Sequence, residues 1–87
     1  MILDNDKLID VEDGKFAIYY LSTAQIDLLK IVADNQIHSV KELYILTDYD
    51  NVKEGIRDLN RKLENKLTFE QTNNKVVLKT KIKIKEV

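Results

Sequence analysis

The chain has 87 residues, 14 basic and 15 acidic side chains, and a formal net charge of −1, which is enough for one domain with a small core. Its 44% hydrophobic and 33% charged content excludes a disordered chain. With no cysteine and one histidine, disulfides, thiolate metal sites, cysteine nucleophiles and most catalytic constellations are excluded as well.

The start, MILDNDKLIDVEDG, is acidic where a signal peptide is basic and then apolar, and no apolar run nears the roughly 18 residues of a membrane span. The expectation is a cytoplasmic protein with no membrane contact. Residues 2–3 and 8–11 read as short strands, and Lys15-Phe16-Ala17-Ile18-Tyr19-Tyr20-Leu21 as a longer one. Asp13-Gly14 between them is a hairpin signal, because glycine accepts positive φ without a Cβ clash. Ser22-Thr23-Ala24-Gln25 is a capping box, and Ile26, Leu29, Val32 and Ala33 follow at helical spacing, so a first helix is predicted over 23–33. Ser39-Val40-Lys41-Glu42 is a second box and opens a short helix to Leu46, whose buried side Val40, Leu43, Tyr44 and Leu46 can supply. Asn51-Val52-Lys53-Glu54 is a third, opening a helix that carries Val52, Ile56, Leu59 and Leu63 as one narrow stripe and ends near Lys66. Strands at 67–71 and 76–80 flank the turn Thr72-Asn73-Asn74-Lys75. The tail 79–85 alternates lysine with Thr80, Ile82 and Ile84, as a half-exposed strand does, its lysines guarding an edge or touching phosphate.

The expected fold class is α+β, within one domain over 1–87. An N-terminal antiparallel sheet (1–21) precedes a three-helix core (22–66) and a hairpin with a final strand (67–87). Three helices followed by a hairpin is the order of a winged helix-turn-helix.

Sharper chemistry fails on spacing. Asp4-Asn5-Asp6 and Asp48-Tyr49-Asp50-Asn51 begin like calcium loops, yet Leu8 and Lys15 in the first, and Val52 and Leu59 in the second, stand where carboxylates are needed. His38 has no second histidine or cysteine and reads as a solvated or hydrogen-bonded loop residue. Gly14 and Gly55 belong to no phosphate-cradling loop. No metal, cofactor or catalytic residue is expected.

Charge is uneven along the chain. Residues 1–50 hold ten acids against four lysines, while residues 51–87 hold ten bases against five acids. A basic half suits nucleic acid, although two opposite halves also attract each other within one fold. At 100° per residue, Lys53, Arg57 and Arg61 form a ridge on the third helix, with Glu54 and Asp58 as a parallel acidic one. Such bases contact phosphates or guanine edges in a major groove; intrahelical pairing on a solvated face is the plainer alternative.

Leu21-Ser22-Thr23-Ala24-Gln25-Ile26-Asp27-Leu28-Leu29 resembles the "LT..E..LL" opening of the OmpR/PhoB-type effector domains of bacterial response regulators. VKEGIRDLNRKLE, residues 52–64, is similar to their recognition-helix pattern "V...I..LR.KLE", and the sheet before the first helix is a further shared feature. The resemblance covers about residues 2–80, without a receiver domain. It implies sequence-specific binding of double-stranded DNA in transcriptional regulation. The recognition helix, 52–66, would enter the major groove and the wing, 72–75, would lie near the minor groove. Lys53, Arg57, Asn60 and Arg61 would make the groove and phosphate contacts, Glu54 or Asp58 a base contact, and Asn73, Asn74 and Lys75 would form the wing tip. Asn60, Asp58 and Glu54 stand where the family favours other residues, and the family's closing "G.GY" is replaced by Lys75-Val76-Val77-Leu78. A winged helix serving as a protein-interaction module, docking a regulatory partner or a second copy as a homodimer, is the alternative.

Overall fold

Alternating side chains lay the first twenty residues into strands β1 (Ile2–Asp4), β2 (Lys7–Glu12) and β3 (Lys15–Tyr20), paired antiparallel. These belong to a computed structural model that describes residues 1–85. Asn5 (φ 60°) turns β1 into β2, and Asp13 (φ 52°) with Gly14 (φ 75°) closes the β2–β3 hairpin, as its sequence predicts. Leu3 and Leu8 stand opposite each other on the inner face and are fully buried.

Three helices follow: α1 (Thr23–Val32), α2 (Val40–Leu46) and α3 (Val52–Lys62). The two-residue strand β4 (His38–Ser39) precedes α2, and β5 (Phe69–Thr72), β6 (Lys75–Leu78) and β7 (Lys83–Lys85) come after α3. One sheet runs β3-β2-β1-β7, with β1 and β7 parallel; the other runs β4-β6-β5, all antiparallel. The chain is a small α+β domain. Leu28, Leu29 and Val32 of α1, Leu43 of α2, Ile56 and Leu59 of α3, and Val76 and Leu78 of β6 meet Leu3 and Leu8 in one buried cluster. Among the described residues no helix is long and apolar enough to cross a membrane.

Several sequence expectations need correction. The third helix stops at Lys62 and not near Lys66, because Glu64 (φ 56°) and Asn65 (φ 59°) take left-handed conformations that end it. The hairpin strands are displaced to 69–72 and 75–78, leaving Leu67 buried in the connection. Residues 79–85 do not form one strand. Asn35 Nδ2 donates to the carbonyls of Leu78 (2.8 Å) and Thr80 (3.0 Å), ending β6, and the chain crosses to the other sheet as β7. Residues 86–87 of the expected C-terminal segment lie outside the described residues. Of the three capping boxes only Ser22–Gln25 closes in both directions. Ser39 and Asn51 cap their helices, but the Glu42 carboxylate turns instead to His38, 2.9 Å from its Nδ1, and is not available to the cap.

Candidate nucleic-acid interface

Asn51 starts α3 by accepting from the Glu54 N–H (3.1 Å), which fixes the rotation of the helix relative to the chain before it. Val52, Gly55, Ile56 and Leu59 then point into the core, with Leu63 following just past the helix. That burial obliges the opposite face outward: Lys53, Glu54, Arg57, Asp58 and Arg61 are all exposed. Lys53 to Arg61 spans about 12 Å of helix axis. Arg61 reaches Asp58 only at 4.0 Å, and among the described residues Lys53 and Arg57 have no ion pair. A weak, exposed pair contributes at most about 1 kcal/mol and leaves the guanidinium available.

Asn60 leaves the expected set. Its Nδ2 donates to the Leu67 carbonyl and its Oδ1 accepts from the Leu67 N–H, each at 3.0 Å. Half-buried and bonded at both ends of its amide, Asn60 clamps the chain leaving α3 onto the helix.

The approach to α3 is fixed from the other side by Tyr49. Its ring lies against Gly55 so closely that a Cβ there would stand 2.5 Å from the ring carbon Cδ1. Glycine at mid-helix is therefore a packing requirement. The Tyr49 hydroxyl is buried with no hydrogen-bond partner among the described residues, and burial first, then the charge of Asp58, pushes its pKa up.

Asn73 (φ 46°), Asn74 and Lys75 form the exposed tip of the β5–β6 hairpin. The Asn74 carbonyl accepts from the Val40 N–H at 2.7 Å, tying the tip to the start of α2. A cleft of about 470 Å³ results, with Lys41, Tyr44, Asn51, Lys53 and Asn74 in its wall. The fold thus brings Lys53 and Asn74 together, although they are 21 positions apart in sequence. Asp50 lines the same cleft and offsets part of its positive charge.

His38 underpins this corner. It is buried and hydrogen-bonded, its Nε2 meeting both Asp34 carboxylate oxygens (2.8 and 3.0 Å) and its Nδ1 meeting Glu42 (2.9 Å). Ionised carboxylates only accept, so both contacts are hydrogen bonds at once only in the doubly protonated, imidazolium form of the ring. Burial alone would lower its pKa, but the Asp34 and Glu42 hydrogen bonds and charges overcome that and raise it. Asp34 is lowered in turn, first by the bond from His38 and then by the Gln36 N–H.

Sequence reasoning misplaced two residues of α2, one of which, Tyr44, stands in the cleft wall. Tyr44 and Leu46, expected on the buried side of α2, are each 55% exposed, next to Ile45. A seven-residue helix set between β4 and α3 buries one apolar side chain fully, Leu43. Among the described residues no group of three His, Cys, Asp or Glu side chains is placed to hold a metal. No family model matches the chain, and neither the curated proteins nor the solved structures contain a match to it.

Proposed function

We propose that the protein is a winged helix of the OmpR/PhoB type that binds double-stranded DNA in transcriptional regulation in the cytoplasm. One observation carries the reading. The order α1-β4-α2-α3-β5-β6, with β4 paired to β6, sets a hairpin tip beside the first turn of a helix whose outward face carries Lys53, Arg57 and Arg61 free of strong ion pairs. In this reading α3 enters the major groove and the tip, Asn73 to Lys75, approaches the neighbouring minor groove. Lys53, Arg57 and Arg61 contact phosphates or guanine edges. Glu54 and Asp58 repel phosphate and are useful only where they accept from a cytosine amine. Asn60, bound to Leu67, is left out.

The test is a titration of duplex DNA followed by fluorescence anisotropy across a range of salt. Four to six phosphate contacts give a slope of log K against log salt of about −4 to −5, and Arg57→Ala flattens it by about one unit if its partner is a phosphate. Asp58→Ala raises non-specific affinity by removing repulsion. The exposed Tyr44, Ile45 and Leu46 favour a second reading, in which the domain docks a protein partner through α2. Absence of duplex binding at about 50 mM salt and high micromolar protein, where non-specific binding alone is already measurable, would select it.

A further inference from the structure

The two edges of the four-stranded sheet are built differently. β7, at one edge, is three residues long and carries Lys83 and Lys85, the usual device against pairing with another chain. β3, at the other, is six residues long, Lys15-Phe16-Ala17-Ile18-Tyr19-Tyr20, with no proline and one charge, at its start. Nothing among the described residues pairs with its outer side. Phe16 (69%), Ile18 (43%) and Tyr20 (63%) are exposed along it, continuous with Val11 of β2 (62%).

The hydrogen-bond phase of this edge follows from one bond. The Leu21 N–H donates to the Asp6 carbonyl on the β2 side, so by strand alternation residues 15, 17 and 19 also direct their main-chain groups toward β2. The free N–H and C=O groups on the outer edge are then those of Phe16, Ile18 and Tyr20. Only one antiparallel two-fold register uses all three at once. It places Ile18 opposite Ile18, and Phe16 opposite Tyr20 of the other copy, making about six main-chain bonds and two cross-strand aromatic pairs. Charge agrees with it. Lys15, the one charged residue of β3, falls opposite Leu21, so the two Lys15 ammonium groups lie about 20 Å apart along the strands. That exceeds a Debye length of about 10 Å.

We propose that the β3 edge is a homodimer interface, through which two copies join β3 to β3 about a two-fold axis at Ile18 and form one continuous eight-stranded sheet. The reading does not depend on DNA binding. Five paired residues from each strand, 16–20, cover less than the roughly 800 Å² per partner of a standard interface, which puts the dimer among weak, concentration-dependent associations.

Sedimentation equilibrium of the full chain from about 10 µM to 1 mM tests it, with circular dichroism as the check on folding. The expected result is a monomer–dimer equilibrium. Ile18→Lys sets two ammonium groups face to face and raises the dissociation constant at least tenfold, whereas Ile45→Lys, on the exposed side of α2, leaves it unchanged. Single cysteines in this cysteine-free chain give a second readout that survives if Ile18→Lys fails to fold. Ile18→Cys places two Cα atoms about 5.5 Å apart, within disulfide range, and oxidises to a covalent dimer. Tyr20→Cys leaves its two copies about 14 Å apart and does not. A monomer at 1 mM overturns the proposal. So does equal cross-linking of the two cysteine variants, or dissociation by Ile45→Lys.

Discussion

Helices α2 and α3 are neighbours of similar local signal, held by opposite means. α3 is fastened by a stripe of apolar side chains, all buried, and its charged residues face outward. α2 buries only Leu43 fully and is fastened by polar contacts. Ser39 caps its start, Glu42 holds His38, the Val40 N–H reaches Asn74, and Thr47 Oγ1 donates to the Leu43 carbonyl at 2.6 Å. Periodicity therefore describes α3 well and α2 poorly. The contrast also says which perturbation each helix should feel: loss of volume for α3, change of pH for α2.

The largest expected effect is on α3. Leu59→Ala, at 0% exposure, should destabilise by about 2–5 kcal/mol in urea unfolding. Gly55→Ala comes next, and its sign is diagnostic. In an open helix it gains about 1 kcal/mol, but here the new Cβ meets the Tyr49 ring and should cost about 1–3 kcal/mol. A double-mutant cycle with Tyr49→Ala should recover most of that loss.

For α2 the lever is protonation. The His38 pKa is raised above 6.5, so its contribution is complete below 6.5 and is lost as pH rises through the folded value. The Asp34 pKa is lowered below 3.8, so its share is present above 3.8 and is lost as pH falls through its folded value. Stability should hold a plateau between those limits and decline on both sides. His38→Gln should cost about 1 kcal/mol on the plateau, both carboxylates being partly open to solvent, and should remove the alkaline decline. Smallest of all, Ile45→Lys should change the unfolding free energy by no more than about 0.5 kcal/mol, because that side chain contributes nothing to the core.

The same contrast accounts for what the sequence discloses. The caps at Ser22, Ser39 and Asn51, the Asp13-Gly14 turn and the α3 stripe are local, and each lies where its pattern puts it. Lys53, Arg57 and Arg61 are legible as outward residues because the buried stripe fixes the helix rotation. Asn60 is illegible by the same logic. Its angle permits exposure, and only the chain folding back at Leu67 reveals that its amide is occupied. His38 depends on Asp34, four residues earlier, outside any helix, so no helical spacing announces the pair. Asn35 acts on carbonyls 43 and 45 residues away, which no local pattern can carry.

The parallel pairing of β1 with β7 has a kinetic consequence. Ile2 and Lys83 are partners in register, 81 positions apart. Bringing such ends together costs roughly 4 kcal/mol of chain entropy beyond the constant term, whereas the β1–β2–β3 meander closes through two tight turns. The meander should therefore nucleate early and β7 should dock last, once the helices have brought the chain back to β1. By the same token β7 should peel away first. Native-state hydrogen exchange should find the β7 amides opening at low free energy while those of β2, paired on both sides, open only with the whole fold.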